Sequence, residues 1–225
     1  MRRRLPLAGG GAAVVVFTGA ADGDLSQAAG AQRVAARRRA IVDLPWTSLH
    51  QVHGAQVVTV RAPGDHAGER ADGAVTDRRD TPIAVHTADC APVALVADEG
   101  VLGVVHAGWR GLVAGVIPAA VEAMRALGAQ GFRAMLGPCI HAARYEFGAD
   151  DLDRVAATLG DEVRARTEWG TPALDVPAAV RISLERCGID RIDDVDICTA
   201  ADAGYFSHRA RRDAGRQALV AWLTA

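Results

Sequence analysis

Lysine is absent from this chain of 225 residues, so all 25 of its lysine-or-arginine positions are arginines. The absence excludes a lysine Schiff base and a phosphate-binding loop built around a lysine. Alanine, glycine and valine are abundant beside arginine. The arginine content therefore reflects a general bias of composition, and an arginine cluster by itself does not indicate an anion site.

Aromatic residues are scarce, at 4% of the chain, and the formal net charge is only −2. Base-stacking surfaces depend on aromatic side chains, and binding to nucleic acid or anionic lipid depends on positive charge. No apolar run is long enough to span a bilayer. We therefore expect no nucleic acid and no membrane as partner, and the sequence leaves a monomer and a homodimer equally open.

Cysteine is also scarce, and no two cysteines form a Cys-x-x-Cys pair. A chain of this size does not need a disulfide framework, so we expect free thiols in a reducing compartment. Three arginines and an apolar run at the start resemble a signal peptide, but Pro6 and three glycines interrupt the run. The sequence therefore predicts a cytoplasmic protein. Its cysteines are Cys90, Cys139, Cys187 and Cys198.

The hydrophobic fraction of 50% can form a sizeable core, and the length suits a single α/β domain over residues 1–225. Alternating strands and helices surround a central hairpin, Pro92–Ala97 and Val101–His106, whose turn has Gly100 where a positive φ is wanted. A hairpin among alternating elements favours a mixed sheet covered by helices over a parallel barrel. The remaining predicted strands are Ala12–Thr18, Gln56–Arg61, Pro82–Thr87, Ala134–Gly137 and Val195–Cys198. The predicted helices are Gln27–Asp43, Leu112–Leu127, Asp150–Leu159, Pro177–Cys187 and Arg211–Leu223.

Cys90 follows Asp89 in a short segment between two predicted strands, where a loop can present a side chain. A lone cysteine is more often a buried, inert residue, but a polar Asp beside it in an apolar stretch favours a functional site. His86, four residues earlier, alternates with apolar neighbours and is typical of a hydrogen-bonded core histidine. Both interpretations of Cys90 remain open on the sequence.

His106 ends a predicted strand and opens the segment HAGWRG at residues 106–111. Backbone N–H groups at the start of the following helix would favour an anion, and Arg110 could clamp a phosphate through two hydrogen bonds. A glycine-rich corner with a solvated arginine is an equally good interpretation. His53 lies just before another predicted strand, where a lone histidine is more often structural than a ligand.

Two imidazoles and one thiolate would together form a catalytic zinc set with an open fourth position. The spacing of His53, Cys90 and His106 matches no zinc-finger pattern, so the sequence alone does not prove a metal site. A multicopper oxidase is disfavoured because such enzymes need His-x-His pairs, and none occurs among the seven histidines. One copper could still bind at these three residues.

Seven motifs occur here in the order of a known family. The chain resembles the laccase-domain purine nucleoside phosphorylase family, whose members were formerly described as multicopper polyphenol oxidases or peptidoglycan editing factors. The resemblance extends from about Trp46 to the C-terminus, and HAGWRG together with TADC is highly specific. The motifs are QVHG (51–54), ADGAVT (71–76), TADCAPV (87–93), HAGWRG (106–111), LGPCI (136–140), YEFG (145–148) and FSHR (206–209).

The resemblance implies that His53, Cys90 and His106 are both the metal ligands and the catalytic residues, with zinc as the cofactor. It implies phosphorolysis of adenosine, inosine, guanosine and methylthioadenosine, together with adenosine deamination, so that the partners are a purine nucleoside and phosphate. The implied fold is a layered α/β sandwich related to toxin deamidases that use a Cys–His pair. Arg110, Asp72 and Arg209 are the expected substrate or phosphate ligands, although Asp72 also suits a plain turn.

The segment before the first predicted helix is shorter than the family pattern, and its expected Arg and Asn have no clear counterparts. Two other functions therefore stay open beside phosphorolysis. One is a metal-free cysteine hydrolase or amidase with Cys90 as nucleophile and His106 as base, which includes editing of peptidoglycan precursors. The other is a degenerate binding protein without catalytic activity.

Overall fold

Two β-sheets lie face to face at the centre of the structure, and helices cover their outer faces. The computed structural model describes residues 1–225, apart from the side chain of Gln27. The strands are β1 (Arg2–Pro6), β2 (Ala12–Phe17), β3 (Thr47–Ser48), β4 (Val57–Thr59), β5 (Gly73–Thr76), β6 (Ile83–Thr87), β7 (Ala91–Ala97), β8 (Val101–Ala107), β9 (Phe132–Leu136), β10 (Arg164–Arg166), β11 (Pro172–Leu174), β12 (Ile192–Asp194) and β13 (Gln217–Thr224). The α-helices are α1 (Ala31–Ile41), α2 (Trp109–Ala114), α3 (Val116–Ala126), α4 (Ala149–Leu159), α5 (Val176–Glu185) and α6 (His208–Arg211).

The five-stranded sheet has the order β1-β2-β13-β6-β3, and the six-stranded sheet has the order β12-β9-β7-β8-β5-β4. Both sheets are mixed, because β3 is parallel to β6 and β4 is parallel to β5, while the central pairs are antiparallel. Strands β10 and β11 form a separate two-stranded sheet. The predicted mixed architecture is confirmed.

Three buried clusters hold the layers together. Phe17 and Ile83 of the five-stranded sheet pack between the sheets against Leu102 of the six-stranded sheet. The outer face of the six-stranded sheet packs on helices α2 to α5, and the outer face of the five-stranded sheet packs on α1 through residues such as Ile41 and Trp222. The order of layers is helix, sheet, sheet, helices, which confirms the predicted layered α/β sandwich.

The predicted hairpin is confirmed as β7 and β8, which are buried at every position. Their register pairs Ala91 with Ala107, and Gly100 in the turn has φ +84° as expected. Strand β7 starts where β8 ends. The residue before β7, Cys90, therefore lies at the same end of the hairpin as His106.

The prediction of a helix over Arg211–Leu223 is wrong. Only His208–Arg211 are helical, Arg212 has the left-handed φ of +57°, and the following residues form β13. Strand β13 lies between β2 and β6 and is buried on both faces. A doubly buried strand shows no alternation of polar and apolar residues, and its alanines and leucines are good helix formers, which explains the error.

Other predicted boundaries also change. The helix predicted over Leu112–Leu127 begins at Trp109 and is divided by Gly115, whose φ is +87°. The strand predicted over Val195–Cys198 is wrong, because the strand is β12, and Cys198 forms only an isolated bridge with Cys139. None of the described helices has both the length and the apolar composition needed to cross a bilayer.

Candidate metal centre

Cys90 lies where the chain passes from the five-stranded sheet to the six-stranded sheet, between the end of β6 and the start of β7. Asp89 immediately before it has φ +94°, which is rare for a residue with a side chain and turns the backbone sharply. Its carboxylate accepts hydrogen bonds from the Thr199 hydroxyl at 2.7 Å and from the Arg209 backbone N–H at 2.6 Å. Asp89 therefore ties two late segments of the chain to the Cys90 turn.

His106 lies in β8 with 3% of its surface exposed. Its Nδ1 lies 2.8 Å from Oδ1 of Asp72, a carboxylate with no exposed surface. An Nδ1–H that donates to a carboxylate leaves Nε2 with its lone pair, which is the form that binds a metal. Burial opposes the ionisation of Asp72, but the hydrogen bonds from His106 and from backbone amides outweigh burial and lower its pKa.

His53 belongs to the loop between β3 and β4 and has a left-handed φ of +59°. The backbone N–H groups of Val52, His53 and Gly54 all donate to the Asp72 carboxylate, at 3.1, 2.9 and 2.8 Å. One buried carboxylate thus fixes both the ring of His106 and the loop that carries His53. His53 and His106 are 53 residues apart in the sequence, and their contacts with Asp72 bring them close together.

The structure brings all three predicted ligands together. The ligand atoms of His53, Cys90 and His106 lie within 4.8 Å of one another, and the Cys90 Sγ is 3.9 Å from the His53 Nε2. Bonds of roughly 2.0–2.3 Å in a tetrahedral zinc site separate the donor atoms by roughly 3.3–3.8 Å. The donor set and its spacing therefore fit zinc with only a small contraction, and the same donors also suit copper.

The charges at this cluster favour a thiolate. Burial opposes ionisation of Cys90, but the neighbouring His106 and His53 outweigh it and lower the pKa of the thiol to about 6. Burial likewise opposes protonation of His106, but Cys90 and Asp72 outweigh it and raise its pKa to about 9, so a metal would displace a proton from Nε2 when it binds. A thiolate is the form of cysteine that binds a metal and that acts as a nucleophile.

Gly108 allows the start of α2 to approach the cluster closely. A Cβ at this position would lie 2.8 Å from Cδ2 of His53 and 3.3 Å from Sγ of Cys90. The φ of Gly108 is −75°, which any residue can adopt, so the requirement for glycine is steric. A side chain here would push against two of the three ligands.

The cluster forms part of the wall of a cavity of about 610 Å³. Two arginines line the same cavity, Arg209 and Arg216. Arg209 donates from Nη1 to the Glu146 carbonyl at 2.6 Å, and its guanidinium lies 4.6 Å from the centre of the Tyr145 ring. Arg216 donates from Nη1 to three backbone carbonyls of residues 213–215. Both guanidinium groups are thus held in position beside a cluster that can bind a cation.

A family model described as "Multi-copper polyphenol oxidoreductase laccase" matches residues 16–224. The chain belongs to this family. The match confirms the resemblance found in the sequence and extends it toward the N-terminus, well before Trp46. The family description names copper.

Relatives in the laccase family are named purine nucleoside phosphorylases. The one from Streptomyces coelicolor is 45% identical over 213 residues, which cover 91% of this chain and 86% of the relative. The one from Mycobacterium tuberculosis is 39% identical over 208 residues, which cover 89% of this chain and 82% of the relative.

Two solved structures share the fold. YlmD from Geobacillus stearothermophilus has a TM-score of 0.83 at 26% identity, covering 98% of this chain and 94% of its own. A Neisseria meningitidis protein has a TM-score of 0.84 at 26% identity, covering 100% and 99%.

The expected substrate ligands occupy different places in this laccase-family structure. Arg209 lines the cavity, whereas Asp72 lies beneath the cluster with its oxygens engaged, and Arg110 is exposed outside the cavity lining with its guanidinium 4.2 Å from the Trp109 ring centre. The backbone geometry gives the physical reason. Asp72 precedes the buried β5, and Arg110 falls on the outward side of α2.

Sequence reasoning did not single out Arg216, because one arginine in an arginine-rich chain carries no distinguishing signal.

His86 was expected in the core, and its backbone N–H and carbonyl both bond to the Gln51 side chain at 2.7 Å. Its ring lines the cavity with Nε2 buried and unpartnered among the described residues. Burial, reinforced by the charge of Arg38, lowers the pKa of His86 to about 4, so the ring is neutral at physiological pH.

Proposed function

We propose that this chain catalyses zinc-dependent phosphorolysis of purine nucleosides, namely adenosine, inosine, guanosine and methylthioadenosine, and that it also deaminates adenosine. The observation that carries the proposal is the cluster of His53, Cys90 and His106 in the wall of a cavity that two arginines also line. The names of the family relatives support the same activity.

Phosphorolysis requires an anion to reach the sugar carbon that bears the base. A phosphate oxygen forms a bond to that carbon, the carbon–nitrogen bond breaks, and its electron pair leaves with the base, which takes up a proton. The protein must hold a multiply charged anion beside a neutral nucleoside and keep both in line. Proximity and orientation of this kind supply a large part of enzymatic rate enhancement.

In the proposal, Arg209 and Arg216 hold the phosphate. Each guanidinium has five N–H donors, and the contacts to backbone carbonyls use only the Nη1 group of each. The remaining donors suit phosphate oxygens, and anchoring by carbonyls reduces the entropy lost on binding. Arg110, the arginine expected from the sequence, stacks on Trp109 outside the cavity lining, so the proposal assigns the phosphate to the other pair.

His53, Cys90 and His106 would hold the zinc ion. Zinc bound at three protein ligands supplies a Lewis acid that polarises an oxygen of the substrate. Asp72 keeps the His106 tautomer that leaves Nε2 free to act as a ligand and fixes the His53 loop. Tyr145 lines the cavity beside Arg209 and offers an aromatic face to the purine ring.

A cysteine amidase is the second candidate, because the same residues also form a relay without metal. Asp72 orients His106, and His106 lowers the pKa of Cys90, which is the order of groups in a cysteine nucleophile site. In that reaction the thiolate attacks an amide carbonyl and His106 protonates the leaving amine. Peptide bonds of cell-wall precursors belong to this substrate class.

The test compares Cys90→Ala with Cys187→Ala, a matched control because Cys187 lies beyond the end of α5, outside the cavity lining. Phosphate-dependent release of base is measured from adenosine, inosine, guanosine and methylthioadenosine, with ammonia release from adenosine measured in parallel. The proposal expects turnover by the wild type and by Cys187→Ala and its loss in Cys90→Ala. Full activity of Cys90→Ala would overturn it. Metal-independent amide hydrolysis that requires Cys90 would favour the amidase.

A further inference from the structure

We propose that a second cavity, next to α1, binds a small aromatic carboxylate. The cavity has a volume of about 650 Å³, within the range of small-molecule sites. Residues of α1 form one wall, and the segments 43–48 and 67–68 form the others. None of its lining residues lines the cavity that contains His53, Cys90 and His106.

Apolar side chains form most of this second cavity. Val34 of α1 is buried, and Trp46 is 5% exposed. Leu44 and Pro45 continue the apolar wall. A flat apolar body, such as an aromatic ring, would be desolvated against these surfaces.

Arg38 places a partly buried positive charge in this wall. Its guanidinium lies 5.3 Å from the centre of the Trp46 ring, and its Nε is buried with no hydrogen-bond partner among the described residues. Burial lowers the pKa of Arg38, and no described carboxylate opposes this effect. A partly buried guanidinium whose Nε has no acceptor is unfavourable, and an anionic ligand would offset that cost through charge-assisted hydrogen bonds.

Ser48 adds a second unpartnered group on the same cavity wall. It is 5% exposed, and its Oγ is buried without a partner among the described residues. Its backbone is held in β3, where Ser48 pairs with Ala84 of β6, so the Cβ has a fixed position from which the hydroxyl can rotate to donate. A mostly apolar wall that carries a few unpartnered polar groups is typical of a small-molecule site.

The charge balance indicates a single negative charge on the ligand. Arg38, Arg39 and Asp43 are the charged lining residues and leave one net positive charge. One net positive charge matches the single charge of a carboxylate. A phosphate dianion carries a second negative charge, and Asp43 would repel it more strongly. The site is therefore distinct in chemistry from the proposed phosphate site at Arg209 and Arg216.

Calorimetric titration with 2-naphthoate tests this site, with neutral 2-naphthamide as the matched probe. We expect saturable one-to-one binding of naphthoate and at least roughly tenfold weaker binding of the amide. Arg38→Met should weaken naphthoate binding by roughly tenfold or more, and Ser48→Ala by several-fold. Arg33→Met is the control, because Arg33 is an exposed residue of the same helix outside the cavity lining and its replacement changes the same charge.

Loss of binding with an intact fold is the required signature, so each variant's thermal unfolding is recorded beside its titration. If Arg38→Met does not fold, Ala67→Trp takes its place, because Ala67 is an exposed lining residue and a large side chain there fills the cavity. The proposal is overturned if the wild type does not bind naphthoate, if the amide binds equally well, or if Arg33→Met matches Arg38→Met. It is also overturned if Arg209→Gln abolishes binding while Arg38→Met retains it.

Discussion

Asp72 is the residue on which the candidate metal centre depends most heavily. Its two oxygens receive four hydrogen bonds, three from backbone amides of the His53 loop and one from the ring of His106. The sequence predicted Asp72 as a substrate or phosphate ligand, with a plain turn as the alternative, and only the structure shows its contacts to His106 and to the His53 loop. Its buried position beneath the ligands makes it a positioning residue.

Asp72→Asn should weaken zinc binding by roughly 10–100-fold, the usual effect of losing a carboxylate that orients a histidine ligand. An amide cannot accept hydrogen bonds on both sides, so either the His53 loop or the His106 ring loses its partner. Competition with a chromogenic chelator measures the affinity. Asp77→Asn, at a partly exposed carboxylate paired with Arg61, is the control and should bind zinc normally. Unchanged affinity in Asp72→Asn would contradict this role.

Gly108 gives a second prediction at the scale of one residue. Gly108→Ala should weaken zinc binding by roughly tenfold or more, because the new Cβ would lie 2.8 Å from the His53 ring. Gly148→Ala is a matched control, since Gly148 also precedes a helix and a Cβ there meets nothing within 4 Å. The same chelator assay compares the two variants. Equal affinities would show that the cluster tolerates the added methyl group.

The thiol of Cys90 should be reactive at unusually low pH in the metal-free protein. Its pKa is lowered to about 6, so the thiolate fraction, and with it the rate of alkylation by iodoacetamide, should rise with a midpoint near pH 6. Burial raises the pKa of Cys187, which should react only in alkaline solution. Mass spectrometry of the labelled peptides separates the two sites. A midpoint for Cys90 above pH 8 would refute the charge arrangement described for the cluster.

At the scale of elements, β13 shows why the sequence misled. Its eight residues read as a helix because their apolar character has no period of two, and the missing alternation comes from burial on both faces. The hairpin of β7 and β8 is equally apolar, but there a glycine turn between two short runs identified the strands. The turn at Gly100 identified the hairpin strands, whereas no comparable turn marks β13 as a strand.

Val220→Pro should destabilise the protein by roughly 3 kcal/mol or more or prevent it from folding. Val220 pairs with Val16 on one side and Ala84 on the other, so its N–H bonds within the sheet and a proline there removes a ladder hydrogen bond. Urea unfolding monitored by circular dichroism measures the loss.

The matched control for Val220→Pro is Arg4→Pro in the edge strand β1. Met1 and Phe17 exchange both backbone hydrogen bonds, at 2.6 and 2.9 Å, and bonded pairs alternate along an antiparallel ladder. The N–H of Arg4, opposite Val14, therefore faces away from β2, and proline should be tolerated there. Similar losses of stability in the two variants would contradict the central position of β13.

At the scale of the whole molecule, the candidate metal centre lies where the two sheets meet. The passage from β6 to β7 carries Cys90 between the sheets, and β8 and the loop after β3 supply the two histidines. The motifs predicted which three residues would meet, and the layered fold followed from the same resemblance. The sequence could not show that Asp72 links two of them or that Arg216 joins Arg209, because both facts depend on distances across the fold.

Removal and return of the metal tests the central proposal most directly. The wild-type protein is stripped with a chelator, and phosphorolysis of inosine is followed as zinc is added back in measured amounts. We expect activity to disappear on chelation and to return fully at about one zinc ion per chain, the stoichiometry of a single three-residue site. Undiminished phosphorolysis by the metal-free protein would contradict a catalytic zinc at His53, Cys90 and His106.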